Sequence, residues 1–155
     1  MKSTCKIYLN GDKKWFLNGK YHREDGPAIE YASGSKEWRV NELLHREDGP
    51  AYEGCNGDFL WYRNGNLHRE DGPAVEYASG NKEWYLNGLY HRVGGPAIEL
   101  FHGHKEWYIN GKHHREDGPA YESVNGHKMW YYHGKQIDCK DNQEFLRIIK
   151  LMVFL

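Results

Sequence analysis

Five loops of this chain carry residue types that belong in active sites. The first reads His22-Arg23-Glu24-Asp25-Gly26-Pro27-Ala28, and the same seven residues return at 45–51, 68–74 and 114–120. A fifth, His91-Arg92-Val93-Gly94-Gly95-Pro96-Ala97, has lost both acids. Histidine moves protons or binds metals near neutral pH. The guanidinium groups of Arg23, Arg46, Arg69, Arg92 and Arg115 are forks that match carboxylate or phosphate. Paired carboxylates divide acid and base roles only when their environments differ, and Glu24 and Asp25 are neighbours in one polar loop. No unique Ser or Cys stands beside a loop histidine as a nucleophile. Near-identical copies suit stacking, whereas a single active site would break the repetition. The chain is therefore read as non-enzymatic. Two roles for the loops follow. In one, Arg of one loop pairs with Glu or Asp of the next and Asp caps the turn backbone. In the other, the five arginines hold an anionic or repetitive ligand along one edge.

These loops are positioned by a repeat. Trp15, Trp38, Trp61, Trp84, Trp107 and Trp130 follow one another at intervals of 23 residues, so the chain is six copies of one unit. In residues 27–49, an extended stretch (Pro27 to Tyr31) meets a tight turn at Ala32-Ser33-Gly34-Ser35. A second stretch (Lys36 to Val40) leads into a broad loop. Short runs rich in β-branched and aromatic residues, bounded by Gly, Asn, Asp and Pro, are the hairpin signature. Asn18-Gly19 and its equivalents open the broad loop, and Asp-Gly-Pro-Ala closes it, with Gly supplying the turn and Pro fixing φ. This predicts an antiparallel meander of two strands per unit. A four-residue turn sets Ile29 opposite Trp38 but also Glu30 opposite Glu37, an unfavourable like-charge pairing, so the register stays open. Equivalent histidines lie two strands apart, ~9.5 Å. Zinc ligands lie about 2 Å from the metal, so the ladder cannot share an ion. His102, His104 and His127, in adjacent turns, are the one local histidine cluster. No metal and no cofactor is expected.

Composition narrows the classes further. The formal net charge is −1, with 21 basic and 22 acidic residues, which gives no overall attraction for nucleic acid or anionic lipid. Cys5, Cys55 and Cys139 are few, odd in number and far apart, which fits a reducing, cytoplasmic setting rather than a disulfide framework. The first residues lack the apolar core of a secretory signal, and no run approaches the roughly 18 apolar residues of a membrane span. The tail differs from the repeats. Asp141-Asn142-Gln143-Glu144 has capping-box spacing, with Asp141 as N-cap and Glu144 at N3. The apolar residues from Phe145 to Leu155 then predict a short helix that closes the array, since a final unit otherwise exposes its apolar side and strand edge. The expected division is a repeat array over 1–140 and a capping helix over 141–155.

The run Trp15-Phe16-Leu17-Asn18-Gly19-Lys20-Tyr21-His22, at its period of 23, resembles the MORN repeat. Arg23 stands where the usual unit has Gly, and the Glu-Asp-Gly-Pro-Ala continuation is not standard. The chain is similar to a divergent branch of that family associated with bacteriophage and large DNA virus proteins. The resemblance implies an all-β, single-layer antiparallel β-hairpin ribbon of six 23-residue units with a short C-terminal capping helix. It also implies a binding and scaffolding role, and a viral origin.

Two surfaces are candidates for that role. Alternation puts the tryptophans on one face and Phe16, Arg39, Tyr62, Tyr85, Tyr108 and Tyr131 on the other. The tyrosines read equally as strand residues that tolerate half-exposure and as an aromatic contact face. Departures from the repeat place Leu43, Leu44, Phe59, Leu60 and Val93 on an otherwise polar edge, as drift or as a contact patch. The expected function is a non-enzymatic binding or scaffold protein, acting through a protein partner or self-association into a homo-oligomer. The alternative is sequestration of a small anionic or nucleotide-like ligand.

Overall fold

The structure, a computed structural model, describes residues 2–153. Its first strands are β1 (Thr4–Ile7), β2 (Lys13–Leu17), β3 (Lys20–Tyr21), β4 (Ile29–Glu30), β5 (Lys36–Glu37), β6 (Arg39–Val40) and β7 (Leu43–Leu44). One antiparallel sheet of 14 strands runs the length of the chain; β3 pairs with β2 beside its main path. Four two-stranded hairpins, of which β6–β7 is the first, stand beside this sheet. Among the described residues a single helix, α1 (Asn142–Val153), follows the last strand. No helix among the described residues is long and apolar enough to cross a membrane.

The open register is settled by turn length. The turn spans five residues, 31–35, closed by the Tyr31 N–H donating to the Ser35 carbonyl at 2.9 Å. Gly34, at φ +96°, makes the reversal. Ile29 therefore faces Glu37 and Glu30 faces Lys36. Across the sheet this builds an alternating row, with Lys13 opposite Glu30 and Lys36 opposite Glu53. It continues with Glu76–Lys82–Glu99–Lys105–Glu122–Lys128. Opposite charges on one face support strand pairing.

The broad loop is more ordered than two strands per unit allow. At Trp38 the strand leaves the sheet ladder because its backbone is used elsewhere. Its N–H donates to the Ala51 carbonyl at 2.8 Å, and its C=O accepts from the His45 N–H at 3.0 Å. The chain then makes a second hairpin, β6–β7, around Asn41 (φ 51°) and Glu42 (φ 76°). Two successive positive φ values define the turn that suits the twist of paired strands, and Asn-Gly is its preferred dipeptide. Asn18-Gly19 and its equivalents thus close a hairpin rather than open a loop.

Units are joined along both edges. On the loop edge, His45 Nδ1 accepts the Asn64 N–H at 3.1 Å, and His22, His68, His91 and His114 repeat this bond one unit further on. On the turn edge, Asp12, Ser35, Asp58 and Asn81 each accept a backbone N–H of the following turn at 2.8–3.0 Å. Between these edges Ala28, Ala51, Ala74, Ala97 and Ala120 are wholly buried. Each alanine carbonyl takes the N–H of a tryptophan, so the core is a row of small side chains under large ones.

The helix begins as its capping residues require. The Glu144 N–H donates to Asp141 Oδ1 at 2.9 Å, while the Glu144 carboxylate accepts the Lys140 N–H, one residue before the expected partner. Phe145 and Ile149 bury against Ile137, with Trp130 and Tyr132 packed alongside. Phe154 and Leu155, expected in this helix, lie outside the described residues.

Candidate functional site

Each loop arginine staples its own unit to the strand that opens the next. The Arg69 guanidinium lies 4.1 Å above the Trp61 ring. It donates to Asp71 at 2.9 Å, to the Pro73 carbonyl at 3.2 Å and to Glu76 at 2.9 Å. Arg23, Arg46, Arg92 and Arg115 stack on Trp15, Trp38, Trp84 and Trp107 in the same way. The pairing expected from one loop to the next is thus replaced by pairing within a loop and onto the strand that follows it. The arginine hydrogen bond holds the carboxyl groups of Asp25, Asp48 and Asp71 below their ordinary range. Gly72 has a purpose the sequence did not reveal. A Cβ there would sit 2.9 Å from Arg69 Cζ, and Gly26, Gly49, Gly95 and Gly118 stand in the same relation to their own arginines. Trp130 has no arginine. Its Nε1–H meets Asn142 Oδ1 at 3.3 Å, and α1 takes the place of a sixth loop.

Grooves run between consecutive loops. One, of about 670 Å³, is lined by Arg46, Trp61, Arg63, His68, Arg69 and neighbouring acids. The arginines stapled over tryptophan turn donors inward, toward Asp, Glu and Pro. Arg63 is different: half-exposed, it reaches only Glu70 among the described residues, at 3.7 Å. The next groove, about 590 Å³, includes Arg69, Trp84, Leu86, Arg92 and Val93.

The opposite face carries the aromatic residues. Tyr85 stacks on Tyr90 at 4.2 Å between ring centroids. Tyr90 meets Tyr108 at 5.1 Å, Tyr108 meets His113 at 4.0 Å, and His113 stacks on Tyr131 at 4.8 Å. Tyr90 and His113 belong to the unforeseen second hairpins, so the row is denser than one tyrosine per unit. It is also shorter. Tyr62 faces Leu67, and Arg39 faces Leu44, so aromatic stacking is continuous only from Tyr85 onward.

Glutamates fasten this row. Tyr85 and Tyr90 both donate to Glu83. Glu106 accepts from Tyr108 at 2.8 Å and from His104 and His113 at 2.7 Å each. Burial opposes charge on Glu106, yet these three hydrogen bonds keep its carboxyl below the ordinary range. Burial, with help from the same carboxylates, pushes the Tyr85 and Tyr108 hydroxyls up. Tyr31, half-buried and bonded to Glu37, is pushed up to about 12 by the partial burial and that bond. In Lys-Glu-Trp-Tyr the acid and the tyrosine are two apart, and that spacing alone puts them on one face. His104 joins the cluster because it has left the turn-edge series held elsewhere by Asp, Ser and Asn. His102, His104 and His127 do not converge: among the described residues no three His, Cys, Asp or Glu side chains are placed to hold a metal ion.

The residues that depart from the repeat sit on separate elements. Leu43 is half-exposed on β7 and leans over Gly65. Leu44 pairs with Arg39 on the aromatic face. Phe59 occupies a lysine slot of the charged row, between Glu53 and Glu76. Leu60 lies half-buried between Tyr52 and Val75. Val93 is 80% exposed at a loop tip, and none of the other four lines its groove. Compared with known protein families and curated proteins, the chain matches no family model and no curated relative.

Proposed function

We propose that the chain is a MORN-like binding or scaffold ribbon, non-enzymatic, working through contact with a protein partner or with its own kind. The row from Tyr85 to Tyr131 carries this reading. Five stacked, half-buried rings, stiffened by Glu83 and Glu106, form a pre-organised aromatic strip. Rigid aromatic side chains concentrate binding energy at protein interfaces because little entropy is lost when they are covered. The viral setting rests on the resemblance of the repeat, and the intracellular setting on three unpaired cysteines. Cross-linking and mass measurement of assemblies test the role. Association that disappears in Tyr108→Ser/Tyr131→Ser supports it. Association unaltered by that pair, or turnover abolished by one loop His→Ala change, refutes it.

Arg63 supports a second reading, sequestration of a small anion in the groove beside Trp61. A rise in melting temperature with added nucleotide, lost in Arg63→Met, is its signature.

A further inference from the structure

The two ends of the main sheet are finished differently. At the far end α1 covers Trp130 and Ile137, with Phe145 fully buried. At the near end all four residues of β1 are exposed, and among the described residues no strand pairs with its outer edge. Alternation shows which backbone groups face outward. Trp15 gives its N–H to Ala28, on the far side of β2 from β1. Lys14 and Phe16 therefore direct their backbone groups toward β1, and their partners Lys6 and Thr4 turn inward. Tyr8, of the same parity, donates its N–H inward to Asp12. Cys5 and Ile7 are left with N–H and C=O pointing away from the sheet, a template for one more strand.

Charge is uneven in the same place. Residues 1–23 contain Lys2, Lys6, Lys13, Lys14, Lys20 and Arg23 against Asp12 alone. Glu30 answers Lys13 and Arg23, each at 3.6 Å. Lys6 and Lys14 stand directly opposite each other, a like-charge pairing that opposes strand formation. Neither has a carboxylate within 4.0 Å among the described residues. Lys6 lies over Phe16 at 5.4 Å and Lys14 over Tyr8 at 4.8 Å. The other face of the strand shows Cys5 and Ile7, the latter 72% exposed.

We infer that β1 is the docking edge for an acidic, extended segment of a protein partner, which adds as a further strand along Cys5 and Ile7. Its carboxylates fall on the face of Lys6 and Lys14, and its intervening apolar residues on the face of Ile7. The partner motif is therefore an alternation of acid and apolar residues. A second copy of this chain does not fit, because edge-to-edge pairing sets its own Lys6 and Lys14 against these. The site serves the protein-contact function proposed above, on a surface separate from the aromatic row.

The test uses the full chain and a fluorescent peptide of alternating valine and glutamate, read by anisotropy. Ile7→Pro deletes one outward N–H at a position where an edge strand accepts proline, and Cys5→Pro is the second such variant should the first unfold. Either variant weakens peptide binding on the order of tenfold, the loss of about one backbone hydrogen bond. Lys6→Glu/Lys14→Glu abolishes binding, and added salt weakens it. Tyr108→Ser/Tyr131→Ser leaves it unchanged, so failure of the aromatic row and failure of this edge are told apart. No binding to the wild-type chain overturns the inference, as does binding indifferent to the proline variants. Tighter binding to phosphatidylserine vesicles or an oligonucleotide, surviving Ile7→Pro, also overturns it, since charge alone would then explain the patch.

Discussion

Replacing Arg69 by methionine keeps the apolar stem of the side chain and removes the guanidinium. Three contributions go with it. The cation over Trp61, partly shielded from water, is worth about 1 kcal/mol. The charged donor to the Pro73 carbonyl and to the half-buried Glu76 adds about 1–2 kcal/mol. Asp71 is 84% exposed and adds little, since solvent screens such pairs. The expected loss is about 2–3 kcal/mol, or about 5–10 °C in melting temperature for a chain of this size. Urea unfolding followed by tryptophan fluorescence and circular dichroism measures it, with Arg63→Met as a control that changes stability by less than about 0.5 kcal/mol. Gly72→Ala reaches the same staple from the other side, because its Cβ needs the space of Arg69 Cζ. With the guanidinium gone most of that collision is relieved, so the double variant loses less than the two single losses combined. Strict additivity, or an Arg69→Met cost below about 0.5 kcal/mol, refutes the stapling argument.

Three further outcomes are expected. Phe145→Ala costs about 3–5 kcal/mol and shifts the emission of Trp130 to the red, whereas Leu151→Ala, at a site 68% exposed, leaves both nearly unchanged. Ala74→Val overfills a fully buried position and costs about 1–3 kcal/mol by chemical denaturation. Burial, and then the neighbouring His133, lower the pKa of His114 below 6.5, so the neutral ring is the stabilising form. Its contribution is complete above 6.5 and fades as pH falls toward the folded-state value; His114→Gln flattens that part of the stability profile.

Much of the architecture was legible because its signals are local. The alternation in each strand and the spacing of Asp141 and Glu144 act within a few residues, and the tryptophan period of 23 repeats these local signals unit after unit. What the sequence withheld depends on groups that meet only after folding. One extra turn residue decided whether Glu30 met Glu37 or Lys36. Asn-Gly reads as the opening of a loop, because the two-residue strands that it joins are too short to show alternation. Gly72 looked like a turn residue, but a side chain there would push the Arg69 guanidinium off its place over Trp61. Glu106 and His113 lie on different strands, and only the second hairpin brings the imidazole to the acid. The stapling of Trp130 by a helix was hidden for the same reason, since Asn142 carries no mark of its partner.

The bonds from each loop histidine to the next Asn-Gly turn span 19 residues, and those along the turn edge span 20. Almost every stabilising contact therefore closes within one repeat length. Such low contact order favours rapid zippering outward from whichever unit forms first. It also makes the chain vulnerable to slippage, because a hairpin docked one repeat out of place finds nearly the same partners. Misaligned pairing is a recognised failure of repeat proteins. Phe59 among the lysines, Glu42 in place of glycine, Val93 in place of an acid and His104 in place of a turn cap break that equivalence, since a hairpin docked one repeat away meets a different partner at each of them.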